Sequence, residues 1–224
     1  MELLVQIGKN AAEAKYELQM LSEDRKNRAL YTVAQALINE SRMIIEENEK
    51  DLVRGEEKGM HPGLIDRLRL TPERIQGMAE GLRQVAELPD PIGEILETTE
   101  RPNGLTIVKQ RVPMGVIGII YESRPNVTAD AFGLCFKSGN VVILKGGSDA
   151  ICSNIAITRV IQHALKEEGI TEHAIGLIES TDRAVVTEFM KLKEYVDLLI
   201  PRGGAGLIRS VVENSTILFS TTLR

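Results

Sequence analysis

Apolar residues recur every three or four positions through the first hundred residues of this chain, and then the period changes. Leu3, Leu4, Ile7, Ala11, Ala14 and Leu18 share one face of a predicted helix. Ser22 then offers an N-cap, and Ala29, Leu30, Val33, Leu37 and Ile38 form the next apolar stripe, continuing towards Ile44 and Ile45. Thr71-Pro72-Glu73 is a helix start: a capping hydroxyl, a proline suited to the first turn and an acid near the positive helix end. Ile75, Met78, Leu82 and Val85 give that helix its stripe, and the stretch ELPDPIGE (87–94) closes the helical region.

Beyond it, GLTIVKQRV (104–112) has strand character. GVIGIIY (115–121) is the continuous apolar run of a strand buried on both faces. Alternation follows: helix over 127–139, strand 140–145, helix 148–169, strand 174–180, helix 182–192, strand 196–200 and helix 204–214. Strands separated by helices predict βαβ units, a parallel sheet and right-handed crossovers with helices on both faces. The fold class is therefore α/β. No internal repeat or low-complexity linker interrupts it.

Composition narrows the picture further. At 224 residues, 43% apolar and 26% charged, the chain is a soluble globular protein with a substantial core. A net charge of −5 with both signs interspersed offers no tract for nucleic acid and no membrane-surface patch. No apolar run approaches a membrane span. The N-terminal stretch MELLVQIGKNAAEAKYELQML carries acid from position 2, unlike a signal or transit peptide. Cys135 and Cys152 show neither pairing nor metal spacing, so a reduced, cytoplasmic protein without a metal site is expected.

Ligands of an open α/β sheet sit at the carboxyl ends of its strands, which makes four segments candidates for chemistry. In YESRPNVTAD (121–130), Arg124 can clamp an anion and the Asn126 amide can donate to an oxyanion; Asn126 or Thr128 can equally cap the next helix, with Arg124 a surface residue. In VILKGGSDA (142–150), Lys145 ends a strand and Gly146-Gly147 let a ligand approach the backbone. A lysine here, with no acid at the strand tip, suits the phosphate of NADP better than the bare ribose of NAD; it also suits a snorkelling lysine before a turn. Ile178-Glu179-Ser180 precedes a simple N-cap. Arg202-Gly203-Gly204, with Gly206 behind it, joins a strand to a helix whose free N–H groups would favour a pyrophosphate, although a glycine turn there is common. His61, His163 and His173 read as surface residues. Cys152 lies near a helix start, but both cysteines read better as small fillers than as nucleophiles.

Taken together, VPMGVIGIIYESRPNVTADAFGLCFKSGNVVILKGGSDA (112–150), EYVDLLIPRGGAGLI (194–208) and the helical stretch 51–94 closely resemble the gamma-glutamyl phosphate reductase family, over residues 1 to about 216. That resemblance implies an aldehyde dehydrogenase-like cofactor domain. Residues 1–101 would be its N-terminal helical part and 102–224 its β-ribbon and Rossmann-like dinucleotide-binding part, one structural domain overall. It implies NADPH-dependent reduction of L-glutamyl 5-phosphate to glutamate 5-semialdehyde in proline biosynthesis, through a cysteine thioester. Arg124 and Asn126 would then lie near substrate or oxyanion. Lys145, Gly146, Gly147 and Ser148 would meet the adenosine ribose and its phosphate, and Arg202, Gly203 and Gly204 the pyrophosphate. A homo-oligomer and glutamate 5-kinase are the partners the resemblance brings.

One departure carries its own expectation. Where the family continues into a glycine-rich stretch bearing the nucleophilic cysteine, this chain reads ILFSTTLR (217–224). Neither cysteine stands in the nucleophile's place, so the isolated chain is expected to be an inactive nucleotide-binding remnant lacking the catalytic domain. Its GLTIVKQRV strand is expected to be left an unpaired edge.

Overall fold

Helices α1 (Glu2–Gln19), α2 (Glu23–Asn39), α3 (Ser41–Glu57), α4 (Pro62–Leu68) and α5 (Pro72–Glu87) precede any strand in a computed structural model that describes residues 2–122 and 124–220, the Arg183 side chain excepted. Their starts follow the local chemistry. The Ser22 hydroxyl accepts from the Arg25 N–H, and Thr71 caps α5 by accepting from the Arg74 N–H at 3.2 Å, with Pro72 in the first turn. The stripe read through to Ile45 is broken at Glu40, where α2 ends and α3 begins.

β1 (Ile95–Glu100) and β2 (Thr106–Gln110) form an antiparallel ribbon with Thr98 opposite Val108. The expectation of an unpaired GLTIVKQRV edge holds on one side: β1 pairs with the other, and no further strand among the described residues pairs with β2. β1 escaped notice because almost every side chain of ILETTE is exposed, so no period-two apolar signal marks it.

β3 (Val116–Tyr121), β4 (Val141–Lys145), β5 (Ile175–Leu177) and β6 (Leu198–Arg202) make a parallel sheet in the order β5-β4-β3-β6. Register is fixed by Ile117 beside both Val142 and Leu198, and by Val142 beside Ile175. Every residue of β3 and β4 is buried, as their apolar runs require, with Lys145 the one charged residue, at the end of β4. The crossovers are α6 (Asn126–Lys137), α7 (Ile151–Glu167) and α8 (Arg183–Phe189), and α9 (Ala205–Asn214) follows β6. α1 lies against β4 and β5, α5 packs on α6, and α2 and α3 pack on α7. One continuous core therefore runs from Leu30 and Leu37 through Phe132 to Ile143 and Leu144. Each such side chain contributes about 1.5–3 kcal/mol of burial before entropy, which ties the early helices to the sheet.

After α9 the chain returns to β6. Leu199 donates to the Leu218 carbonyl at 2.8 Å and accepts from the Ser220 N–H at 3.0 Å, a parallel bridge that seats Ile217 in the core. Residues 221–224 of the tail read above lie outside the described residues.

Candidate functional site

Strand order reverses between β3 and β6, so the crevice for a ligand opens outside their carboxyl ends. Glu122, the residue after β3, places its carboxylate there. Oε1 accepts from the Gly204 N–H at 3.1 Å, at the first turn of α9. Gly203 is required by this approach: a Cβ would lie 2.7 Å from Glu122 Cδ and 2.8 Å from Leu207 Cδ2. Arg202, Gly203 and Gly204 are exposed along the crevice. The turn expected to present free N–H groups thus presents that of Gly204 to an internal anion. Nothing in the sequence pairs positions 82 apart, so Glu122 was invisible to pattern reasoning.

At the end of β4 the Lys145 ammonium is buried and donates to the Gly146 carbonyl at 2.6 Å. No carboxylate among the described residues forms an ion pair with it. Burial lowers its pKa below the ordinary lysine range. Gly146 lies against a polar cluster in the core. A Cβ there would run into the Asn154 amide and stand 3.0 Å from Tyr121 Cζ. The Tyr121 hydroxyl and Thr128 Oγ1 are 2.7 Å apart, Thr128 donates to Asn154 Oδ1 at 3.0 Å, and Asn154 Nδ2 is buried with no partner among the described residues. Burial pushes the Tyr121 phenol up. Gly147 precedes the short turn Ser148–Ala150, in which Ser148 is exposed.

The third segment starts α6. Asn126 is the helix's first residue and Pro125 holds the cap position, so neither Asn126 nor Thr128 serves as the cap. Arg124 is exposed, and its N–H donates to the Glu122 carbonyl at 2.8 Å. Ser123 of the YESRPN stretch lies outside the described residues. Asn126 Nδ2 donates to Asp130 Oδ2 at 3.0 Å. Burial raises the Asp130 pKa, opposed by that hydrogen bond and by the charge of Arg202. This partnership was available to sequence reading, since residues four apart share a helix face. A cavity of about 280 Å³ beside the pair is lined by Arg69, Leu70, Arg74 and Met78.

The remaining candidates fall elsewhere. Cys135 is buried, and its thiol is pushed up to about 12, which keeps it protonated. Cys152 is held from α3: its N–H donates to Asp51 Oδ1 at 3.2 Å and its sulfur lies 3.3 Å from Arg54 Nη2. Neither cysteine lines the cavity beside Asn126. His61 caps α4 by accepting from the Gly63 N–H, and His163 is exposed beside Glu167. Among the described residues there is no cluster of metal-ligating side chains and no helix long and apolar enough to cross a membrane.

No family profile matches the chain. Over 217 residues, 97% of its length, it is 57% identical to the gamma-glutamyl phosphate reductase of Lachnospira eligens, of which it covers 52%. The chain belongs to the gamma-glutamyl phosphate reductase family. The crystal structure of gamma-glutamyl phosphate reductase from Thermotoga maritima superposes on it with a TM-score of 0.95 at 44% identity, covering 96% of this chain and 52% of that one. A probable aldehyde dehydrogenase from Listeria monocytogenes, 15% identical, shares the fold alone, with a TM-score of 0.75 over 97% of this chain and 45% of its own. The chain spans about half the length of the gamma-glutamyl phosphate reductases it matches.

Proposed function

We propose that this chain provides the nucleotide-binding part of an NADPH-dependent reductase that converts L-glutamyl 5-phosphate into L-glutamate 5-semialdehyde and phosphate. The observation that carries the reading is Lys145, a buried ammonium with no carboxylate partner among the described residues, placed beside Gly146 and Gly147 at the strand ends. A cation there suits the extra phosphate of NADPH. Lys145, Gly146, Gly147 and Ser148 would hold the adenosine end, and Arg202, Gly203 and Gly204 the pyrophosphate, with Glu122 giving up the Gly204 N–H. Two features fit such a ligand: glycines at the closest backbone approaches, and an unpartnered Asn154 amide behind Gly146. The bound cofactor supplies hydride. Asn126, steadied by Asp130, keeps a second amide hydrogen for an oxyanion, and Arg124, two residues before it and exposed, is available for an anionic substrate group.

The reading includes a cytoplasmic location and glutamate 5-kinase as the upstream partner, because an acyl phosphate must be made and passed on before water hydrolyses it. A homo-oligomer is supported by the exposed ribbon, which carries Ile95, Leu96, Ile107 and Val108 on its surface.

A second reading, nucleotide binding without turnover by these residues alone, is favoured by the position of both cysteines away from Asn126. Two measurements on the pure chain separate the readings. Quenching or enhancement of nicotinamide fluorescence should saturate with NADPH and weaken at least about tenfold in Lys145→Ala. Phosphate-dependent oxidation of glutamate 5-semialdehyde should be absent; a measurable rate would remove the second reading. Unsaturable titration would remove both.

A further inference from the structure

Two stretches of the proposed site are held by one buried amide. Asn48, on α3, spends both amide hydrogens and its carbonyl oxygen on other elements. Nδ2 donates to the Leu68 carbonyl at 2.9 Å and to Ser153 Oγ at 2.9 Å, and Oδ1 accepts from the Leu70 N–H at 2.7 Å. Leu68 and Leu70 bracket Arg69 at the end of α4, and Arg69 and Leu70 wall the cavity beside Asn126. Ser153 lies in the first turn of α7, just behind the glycine loop that ends in the turn Ser148–Ala150. Its hydroxyl accepts from Asn48 and donates to Asp51 Oδ2 at 2.6 Å, so the donors run in one direction and end on a carboxylate. An apolar contact joins the same two stretches: Ala150 shares a small buried cluster with Leu52, Ile65 and Leu68.

We propose that Asn48 is a positioning residue that fixes the nucleotide loop relative to the 68–70 wall, and so holds a bound nicotinamide in register with Asn126. This rests on the nucleotide site assigned to 145–148 under the proposed function. A side-chain amide is the group that can donate twice and accept at the same point. A carboxylate at position 48 would lose both donations and would stand one helical turn from Asp51. A satisfied buried network has little slack, because moving one member leaves another unpaired. Displacement of the glycine loop by a ligand is then passed to 68–70 or breaks a hydrogen bond. A misplacement of about 1 Å at a reacting centre costs about a hundredfold in rate, so a link remote from the chemistry bears on it.

The test follows backbone amide shifts of the whole chain in the wild type, Asn48→Ala and Ser153→Ala, with NADPH as the probe. Ser153→Ala removes one hydroxyl and keeps the bonds from Asn48 to Leu68 and Leu70, so it decides the matter even where Asn48→Ala fails to fold. In the free chain, Ser153→Ala should shift the amides of residues 68–70, which reach Ser153 through Asn48. In the wild type, saturating NADPH should move 68–70 together with 145–148. In Ser153→Ala the shifts at 145–148 should remain, at an affinity weaker by about threefold or more, and those at 68–70 should be lost. Wild-type amides at 68–70 that ignore bound NADPH would overturn the proposal. So would NADPH shifts there that survive in Ser153→Ala, since these would mean direct contact with the ligand, or free-chain amides at 68–70 indifferent to that substitution. The two readings fail separately. NADPH that saturates at 145–148 without moving 68–70 removes the positioning role alone, and free-chain coupling without saturable NADPH shifts removes the cofactor reading.

Discussion

The Glu122 carboxylate accepts the Gly204 N–H at 3.1 Å, so the positive end of α9 already faces an anion supplied by the strand beside it. A carboxylate at a helix start contributes about 0.3–1 kcal/mol, and a dinucleotide phosphate bound as proposed would compete with it for the same N–H. Glu122→Ala should therefore lower unfolding stability by about that amount while tightening NADPH a few-fold. Denaturant unfolding and a fluorescence titration on the same variant check both signs. Looser or unchanged nucleotide binding would show that Glu122 is not in the ligand's way.

Lys145 carries a pH signature. Its folded pKa lies below its unfolded one because burial disfavours the charged form. In the window just below the ordinary lysine range, the unfolded chain binds more protons than the folded one, so stability rises with pH there. Below that window the penalty is constant. Lys145→Met should raise stability at neutral pH and flatten the rise between mildly and strongly alkaline buffer, while weakening NADPH. Unfolding midpoints at several pH values decide; a wild type as flat as the variant would contradict the buried-charge argument.

Gly146 and Asn154 compete for one volume. Gly146→Ala should cost about 1–3 kcal/mol through overpacking against the Asn154 amide and the Tyr121 ring. Combining it with Asn154→Ala should recover part of that loss, a coupling that a double-mutant cycle measures. Strict additivity would mean that the amide does not define the loop's position.

Asp51 is a cap supplied from a distance. Fully buried on α3, it accepts the Cys152 N–H and both the N–H and hydroxyl of Ser153, at 3.2, 2.8 and 2.6 Å, and so satisfies the start of α7. Asp51→Ala should destabilise the chain by about 3 kcal/mol, since several buried donors lose their acceptor together. Chemical unfolding of the variant reads this directly, and a loss within the noise of a surface substitution would refute it.

These residues also show where the sequence was legible. β3 and β4 were readable because strands buried on both faces carry continuous apolar runs, and α5 because Thr71-Pro72-Glu73 carries its start in three adjacent residues. The glycine turns at Gly146 and Gly203 were readable as close approaches, but not what approaches them. Asn154 and Glu122 come from other elements, and spacing along the chain holds no record of that. Asp51 reaches Ser153 across 102 positions for the same reason. Exposed β1 left no apolar pattern to find. The family resemblance supplied what periodicity lacked: a reason to take the strand-end loops as parts of one site.

The most direct test of the central claim is a map of backbone amide shifts in the whole chain as NADPH is added. The account predicts saturable shifts concentrated at Lys145–Ser148 and Arg202–Ala205, with Glu122 responding as it releases Gly204. Shifts that cluster away from these strand ends, or that fail to saturate, would contradict it.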